Sequence, residues 1–556
     1  MHRWLWLLLL WLNLACASLP DVGIDRPLAR DWHEVHSEHI VLRTDLPADD
    51  ALALAREFEQ DWANLQDLAF PYAHRPTVVT SVVVFRNHRE YDQIAPFGAW
   101  GDYRPAIADD GSATPTVLLS GEMRPLARRV FVQHQMVREF VHYYFPGAPS
   151  WLLSGLADYY STLFVTRGKA VVGAPRYSFT TPMRPAMTIP WILDVPTTVN
   201  QAPLFGVPSS AALLASRRRD FYAWPMARGS FTELDPDVVA GNRAGAWALV
   251  HLMRDPGGPF GARFEAYLAL ITGGHEPTAA FKRAFAGVGH NEIEGRYQAA
   301  LRDPKRHYLQ GDYRQPDVAV GPVRVLTDAE VHLLHAAMRP CVDLRGRDPG
   351  TPTHLSGMCK VWGDEQGVRR VHHDIGAAAS TAPDSPEVQL WVARLAAREG
   401  RRNQAIDLLR EAATHDRPGD LVHLELFRLL RDEAELHPGL DTRAEADAAL
   451  IQLRKRATSA AALNAVARYL LDRGRVEEAG WAAEHAIAAD PSCSICYDTY
   501  AALFQTAGDL PRAHWMQTVA VNITPDGYDP AALVERWYTL DELRRPPPLE
   551  LARRAP

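Results

Sequence analysis

The sequence predicts an α+β domain followed by an all-α array of helical repeats. Three observations indicate this order. Runs of β-branched residues occur only in the first part of the chain, and helical periodicity takes over after about residue 120. In the last third, small residues recur at fixed offsets. With 556 residues the chain is too long for a single core, so we expect two or three domains.

The composition is that of a folded, mildly acidic protein. Apolar residues make up 47% and charged residues 23%, both ordinary for globular chains. The net charge of −8 disfavours a nucleic-acid partner, because such binding needs a concentrated basic surface. The one dense basic run, residues 217–219, is interpreted as a solvated loop.

The first residues look like a targeting segment. A single Arg3 precedes an apolar run from Trp4 to Leu12, and small residues follow. The run is too short to cross a bilayer, which takes roughly 20 residues. We therefore expect residues 1–17 to be a signal peptide and the protein to be exported by a bacterial-type route.

Two processing routes fit the end of this segment. Ala15 and Ala17 satisfy the small-x-small rule for ordinary cleavage after Ala17. Leu14-Ala15-Cys16 instead resembles a lipobox, with a lipid attached to Cys16, although Asn13 departs from its usual apolar residue. The short leader and the cysteine favour the lipoprotein. The expected location is the periplasm, as a soluble protein or anchored to the membrane through Cys16.

The other four cysteines form two close pairs in sequence, as an oxidising compartment would permit. Cys341 and Cys359 could close a loop around a segment rich in Pro and Gly. Cys493 and Cys496 form a CxxC without a second CxxC or a preceding strand. We interpret this pair as a local disulfide or two packed thiols, not as a redox or zinc site.

The pattern of the first domain alternates strands and helices before it becomes helical. A strand is predicted over 31–45, where a polar and apolar alternation appears, and a buried strand over 77–85, where β-branched residues cluster. Between them an apolar stripe predicts a helix over 48–68. The remaining predictions are a short helix at 89–95, a loop or hairpin at 97–115, a strand at 116–120, a helix at 123–145, a helix from Trp151, loops and short helices over a cleft at 166–240, and further helices from 244.

The C-terminal part has a repeat of tetratricopeptide period. Ala479 and Ala513 are 34 positions apart, the length of that repeat. Small residues let the two helices of a repeat approach, and Gly ends the first helix. The matching sets are Ala393, Gly400, Ala405 and Ala412; Ala467, Gly474, Ala479 and Ala486; and Ala501, Gly508, Ala513 and Ala520. Ala446 marks a candidate irregular repeat between the first two sets.

These patterns divide the chain. The α+β domain is expected over 25–310, and a linker with a first helical hairpin containing Cys341 and Cys359 over 311–384. The repeats are expected over 385–540 and a tail over 541–556. Such arrays bind other chains along a concave face, so we expect a protein partner whose identity the sequence does not reveal.

One helix carries a motif that resembles part of a zinc peptidase. Zinc peptidases place two histidines at i and i+4 with a glutamate between them, so that both rings bind one Zn²⁺ and the glutamate activates its water. Here the five residues are Arg138-Glu139-Phe140-Val141-His142. Only the glutamate and the second histidine remain.

The segment that follows extends the resemblance. Residues 149–160 read PSWLLSGLADYY, with Trp151 and Leu152 followed by Gly155 and Ala157. With the strand at 31–45 and the helix from 244, this resembles the peptidase MA-like family of gluzincins over roughly residues 31–302. That family consists of exported bacterial proteins often joined to tetratricopeptide repeats. The resemblance implies a gluzincin-like α+β domain followed by an all-α tetratricopeptide superhelix.

The resemblance also implies which residues occupy the family's site. The first zinc ligand falls on Arg138, the general base on Glu139, the second ligand on His142 and the third on Ser154. Arginine is a permanent cation and cannot offer a lone pair, and serine is a poor zinc ligand. Catalytic zinc normally keeps three protein ligands. We therefore expect no cofactor, and zinc only if other residues rebuild the site.

Two further interpretations concern this segment. Arg138 could replace the lost metal charge by pairing with Glu139 or Asp158, which lies one turn after Ser154. A serine hydrolase built on Ser154 is disfavoured because the Gly-x-Ser-x-Gly elbow is lacking. Taken alone, residues 138–142 are also an ordinary amphipathic helix fragment.

The sequence thus predicts an exported, catalytically inactive pseudopeptidase whose repeats make it a protein-binding scaffold in the cell envelope. The alternative is an active zinc peptidase with an altered ligand set, using Glu139 as base and His142 as ligand.

Overall fold

The structure is a computed structural model of the chain. It describes residues 30–72, 75–76, 79–95, 100–104, 116–166, 168–173, 177–178, 200–201, 206–216, 221, 236–302, 309–313, 315–338, 364–416, 418–437, 442–524 and 531–544. The predicted signal peptide with Cys16, the basic run at 217–219, and Cys341 and Cys359 lie outside these residues.

The N-terminal domain contains the sheets of the described chain. The strands are β1 His33–His36, β2 Ile40–Thr44, β3 Thr80–Phe85, β4 Gly101–Arg104, β5 Thr116–Ser120, β6 Phe164–Thr166, β7 Lys169–Val172, β8 Tyr177–Ser178, β9 Asn200–Gln201, β10 Leu309–Asp312 and β11 Arg324–Val325. Six of them form one mixed sheet in the order β11-β1-β2-β3-β5-β4. Strands β2, β3 and β5 are parallel, and the other pairs in this sheet are antiparallel.

The prediction of one strand over 31–45 is wrong, because this segment is the hairpin β1–β2. In its turn, the Ser37 backbone N–H donates to the Ile40 carbonyl over 2.9 Å. The carboxylate of Glu59, on the following helix, accepts from the Ser37 hydroxyl at 2.6 Å and from the His39 backbone N–H at 3.1 Å. This contact comes from a residue about twenty positions away, so the local alternation of side chains does not reveal the turn.

The sheet also reaches beyond the predicted end of the domain at residue 310. Strand β11 pairs with β1, with His33 opposite Val325, and the Leu326 backbone N–H donates to the Trp32 carbonyl over 2.7 Å. A two-residue strand has no periodicity of its own, and its pairing partner lies about 290 positions earlier. For this reason the sequence pattern did not predict it.

Helices cover the sheet and continue the N-terminal domain. They are α1 Ala48–Ala69, α2 His88–Ile94, α3 Pro125–Tyr144, α4 Ser150–Tyr160, α5 Ser210–Ala215, α6 Pro236–Met253, α7 Gly261–Thr272, α8 Pro277–Ala284, α9 His290–Arg302 and α10 Asp328–Ala337. Helix α1 buries the predicted stripe, including Leu54, Phe58 and Trp62, against the sheet. Pro125 begins α3, where its fixed backbone angle and missing N–H cost nothing.

The C-terminal part consists of helices packed as consecutive antiparallel hairpins. They are α11 Asp364–Thr381, α12 Pro386–Arg398, α13 Arg402–Ala413, α14 Asp420–Leu436, α15 Thr442–Arg456, α16 Ala460–Asp472, α17 Val476–Ala489, α18 Ser494–Thr506, α19 Leu510–Ile523 and α20 Ala531–Arg544. The pairs α12–α13, α14–α15, α16–α17 and α18–α19 are the repeat hairpins, and α10 packs with α11 before them. Helix α20 extends to Arg544, four residues into the predicted tail.

The repeating small residues explain how these hairpins close. Every alanine in the three sets of the predicted pattern is 0% exposed, so no larger side chain could fit between the paired helices. Gly400, Gly474 and Gly508 have φ of 80°, 72° and 78°, the left-handed conformation that ends a helix. The predicted irregular repeat is the hairpin α14–α15, where Ala446 is buried. The C-terminal part is therefore a tetratricopeptide-type array.

Two further observations complete the fold. Cys493 and Cys496 are joined by a disulfide at the start of α18, where both side chains are buried beside Leu463 and Ala486. Within the described residues, no helix has both the length and the apolar character needed to cross a membrane.

Candidate functional site

The motif lies on two consecutive helices, α3 and α4, with the turn 145–149 between them. We call this unit the motif hairpin. Gly147 has φ of 81° in the turn, which a residue with a side chain rarely adopts. The Pro149 carbonyl then accepts from the backbone N–H groups of Leu152 and Leu153, which starts α4. All eleven residues of α4 are buried, so this helix is part of the core.

The residues that suggested a family resemblance in α4 have clear packing roles. A Cβ on Gly155 would lie 2.6 Å from the Ala246 carbonyl oxygen and 2.7 Å from Val250 Cγ2. Gly155 therefore lets α4 approach the backbone of α6. Trp151, 1% exposed, stacks on Tyr267 of α7 with ring centroids 6.1 Å apart. Packing alone therefore explains the presence of Gly155 and Trp151 at these positions, and a catalytic role is not needed to explain them.

Glu139 points towards the sheet and is held by one strand residue. The hydroxyl of Thr80, the first residue of β3, donates to Glu139 Oε2 over 2.6 Å. Oε1 is buried and has no hydrogen-bond partner among the described residues. Burial raises the pKa of Glu139 to about 7; the Thr80 hydrogen bond opposes this rise, and the negative charge of Asp490 adds to it. The predicted general base is thus a buried carboxyl with one donor.

Asp158 lies in a buried ion cluster. Its carboxylate is 0% exposed, and Oδ1 lies 3.0 Å from Arg243 Nη2 and 3.2 Å from His134 Nε2. These three residues come from α4, α6 and α3, so the cluster ties the motif hairpin to the later helix. Its main effect is structural, because a buried carboxylate needs such partners to remain in the core.

The contacts of Glu139 and Asp158 bear on the hypothesis that Arg138 pairs with one of them. Among the described residues, neither ion pair is present: Glu139 accepts from Thr80, and Asp158 pairs with Arg243 and His134. Arg138 has other interactions, and its charge acts on the Tyr103 hydroxyl of β4. Burial raises the pKa of Tyr103 above its ordinary range, and the charge of Glu139 adds to this.

The residues at the predicted ligand positions do not fit a zinc ion. Arg138 cannot coordinate, and Ser154, 2% exposed on the buried helix α4, offers a neutral hydroxyl. His142 is half-buried in the last turn of α3 and is the one imidazole among the three positions. His134, two turns earlier, pairs with Asp158. Within the described part of the chain, no group of three or more His, Cys, Asp or Glu side chains is placed to hold a metal ion.

Three residues that matter at the motif hairpin were not predicted from the sequence: Thr80, Arg243 and Asp490. Thr80 begins the β-branched run of β3, which predicts a strand but not a hydrogen bond to a helix. Arg243 precedes the apolar stretch of α6. A charged residue in a helix with so many apolar residues indicates a buried partner of opposite charge. Nothing in the local sequence connects Asp490 with Glu139.

A second candidate surface lies on the repeats. Consecutive first helices contact one another, α12 with α14, α14 with α16 and α16 with α18, so they line one face of the array. At one repeat position α12, α14, α16 and α20 carry arginines, and two carboxylates lie between them. The contacts are Arg394 Nη2–Glu425 at 3.0 Å, Arg428 Nη1–Glu425 at 3.7 Å, Arg468 Nη1–Asp498 at 3.7 Å and Arg536 Nη1–Asp498 at 3.1 Å.

Comparison with known proteins adds little. No protein-family profile matches the chain, and no curated protein matches it. A solved structure described as "Crystal structure of YrrB: a TPR protein with an unusual peptide-binding site" matches 38% of this chain and 92% of that chain, with 13% identity and a TM-score of 0.24. A likeness of this size carries no argument about this protein, and the assignment of the repeats rests on their own geometry.

Proposed function

We propose that this chain is a non-catalytic, protein-binding scaffold of the cell envelope. In this proposal the N-terminal domain descends from a gluzincin peptidase that has lost its metal chemistry, and the repeats bind a segment of a partner protein. The observation that carries the proposal is the continuous face formed by α12, α14, α16 and α18, since stacked helical repeats bind other chains along such a face.

The charges on this face suggest what the partner segment offers. Each carboxylate, Glu425 and Asp498, is shared by two arginines, and Arg468 also lies 3.9 Å from Asp472. The Arg468 side chain is 43% exposed and that of Arg536 is 30% exposed, so both can reach a bound chain. Guanidinium groups hold carboxylates in defined geometry, which favours an acidic segment.

Site-specific photo-cross-linking tests the binding surface. Ala502 occupies the repeat position of the arginines on α18, and Ala488 is an exposed residue on the second helix α17. A photoreactive residue placed at 502 should cross-link a partner in cells of the source organism, and one placed at 488 should not. Adding Arg468→Glu should abolish the cross-link at 502. Equal cross-linking at both positions would show that this face is not the binding surface.

Metal content tests the loss of peptidase chemistry. The supporting observation is the side-chain set Arg138, His142 and Ser154, which does not provide three ligands. Protein purified from zinc-supplemented culture should contain far less than one zinc per chain, measured by mass spectrometry. About one zinc per chain, lost in His142→Ala, would instead support the alternative, a zinc peptidase with a rebuilt ligand set that uses Glu139 as base.

Export is part of the proposal and is supported by the leader of residues 1–17. Fractionation of cells expressing the full chain tests it. If a lipid is attached to Cys16, wild-type protein should be in the membrane fraction and Cys16→Ala should shift it to the soluble periplasm. Protein found in the cytoplasm would contradict export. Soluble periplasmic protein in both cases would favour ordinary cleavage after Ala17.

A further inference from the structure

The last repeats lie against the motif hairpin. The turn at Gly147 has no side chain, and the space above it is filled by the fourth repeat hairpin. A Cβ built on Gly147 would lie 2.9 Å from Trp515 Cη2 and 3.0 Å from Val519 Cγ2, both on α19. These distances are shorter than ordinary van der Waals contact, so the indole packs directly on the glycine backbone.

The same tryptophan reaches a second turn of the N-terminal domain. A Cβ on Gly274, which follows α7, would lie 3.9 Å from Trp515 Nε1. Gly274 has φ of 79° and Gly147 has φ of 81°, so both turns are of the kind that favours glycine. Trp515 therefore lies between two glycine turns of the other domain, and Val519 beside it is 1% exposed.

A buried carboxylate lies at the junction between the third and fourth repeat hairpins. Asp490 ends α17 and is 8% exposed; its carboxylate accepts from the Ser492 backbone N–H at 2.9 Å and from the Ser492 hydroxyl at 2.6 Å. Its charge raises the pKa of Glu139 on α3 and of Tyr103 on β4.

We propose that helix α19 caps the motif hairpin, so that the turn between α3 and α4 is an internal docking site for the chain's own repeats. The cap covers the turn between α3 and α4 with Trp515 and Val519. While the repeats are docked, Trp515 and Val519 cover the turn that joins α3 to α4. A partner that pulled the last hairpins away would expose it.

Hydrogen exchange of the full-length chain tests the cap. In Trp515→Ala, the amides of Phe145, Gly147 and Ala148 should exchange about tenfold faster, because the side chain that covers this turn is gone. Trp481→Ala is the matched control: Trp481 is 48% exposed on α17 and takes no part in the contacts with the motif hairpin. Exchange at 145–149 should be unchanged in that variant. Equal exchange in Trp515→Ala and the wild type would overturn the cap.

A pair of glycine variants tests the same contact while the Trp515 side chain is kept. Gly147 and Gly287 both have φ of 81°, but a Cβ on Gly287 has nothing within 4 Å. Gly147→Ala and Gly287→Ala therefore share the backbone strain, and only the first clashes with Trp515. Gly147→Ala should lower Tm more than Gly287→Ala, and adding Trp515→Ala should reduce that difference, with the contact to Val519 remaining. Equal losses of Tm in the two single variants would show that the repeats are not docked in solution.

Discussion

The Thr80 hydroxyl donates to Glu139 Oε2 over 2.6 Å, which joins the first residue of a central strand to the motif helix. It is the one hydrogen bond to this carboxyl among the described residues, and Oε1 remains buried without a partner. The carboxyl of Glu139, a half-buried residue, therefore accepts from a single neutral donor. The first two predictions follow from this arrangement.

Removing the donor should destabilise the protein in a pH-dependent way. Thr80→Val keeps the shape of the side chain but takes away the hydrogen bond that stabilises the ionised carboxyl. The pKa of Glu139 in the folded state should therefore rise above its value of about 7. The loss in the free energy of unfolding then grows as the pH rises through that value, because more of the carboxyl is ionised. We expect a loss of roughly 1–3 kcal/mol at pH 9 and a smaller one at pH 6, measured by urea unfolding.

The matched control for this prediction is Thr44→Val on the neighbouring strand β2. Thr44 is also fully buried, and its hydroxyl donates to the Val84 carbonyl over 2.6 Å, an acceptor that does not titrate. The loss in Thr44→Val should be the same at both pH values. If Thr80→Val also shows no pH dependence, Glu139 is not ionised beside Thr80 in solution.

Replacing the carboxyl itself should stabilise the protein at high pH. Glu139 has an ordinary pKa of 4.5, raised in the folded state to about 7 mainly by burial. Between these values the folded state holds a proton that the unfolded state has released. The stabilisation is complete below pH 4.5 and is lost as the pH rises through about 7.

Glu139→Gln removes this titration and keeps the side chain's size. At pH 8 the variant should exceed the wild type by up to roughly 3 kcal/mol, since a tenfold change in proton affinity corresponds to about 1.4 kcal/mol. At pH 5 the two should be nearly equal. Glu435→Gln, at an exposed position on α14, should follow the wild type at every pH. The free energy of unfolding of the wild type should fall relative to that of Glu139→Gln between pH 5 and pH 8. A relative rise would contradict a raised pKa at Glu139.

The close packing of α4 on α6 should not tolerate a methyl group. In Gly155→Ala the new Cβ would lie 2.6 Å from the Ala246 carbonyl oxygen, so the helices must move apart. We expect a loss of about 1–3 kcal/mol or more in the free energy of unfolding. Gly295→Ala on α9 is the control, since its Cβ meets nothing within 4 Å. That variant should gain up to about 1 kcal/mol from helix propensity.

Restoring the family's ligands tests whether the motif hairpin keeps gluzincin geometry. Arg138→His with Ser154→Glu would place two imidazoles on α3 and a carboxylate on α4. If the ancestry in our proposal holds, this double variant should bind about one zinc per chain, and the wild type should not. The control is Arg138→His with Ser154→Gln, which cannot supply the third charged ligand. A double variant that folds but takes up no zinc would contradict gluzincin geometry.

Local pattern was enough to predict most individual elements. The helix at 48–69 follows from its apolar stripe, and the strand at 80–85 from its β-branched run. The repeats follow from small residues at fixed offsets, because a hairpin that excludes larger side chains leaves a direct trace in the sequence. Helix periodicity and the need for small residues are local requirements, and each acts within about one repeat.

Contacts between distant segments decided the rest. The sequence identified Glu139 as the residue at the family's base position, but only the fold shows that its carboxylate accepts from the Thr80 hydroxyl. It likewise predicted the repeats but not that Trp515 packs on Gly147. These are pairings between residues about 60 to 370 positions apart, and no local periodicity encodes them. Side-chain identity therefore determined which elements form, whereas the packing of those elements determined the environment of each group at the motif hairpin.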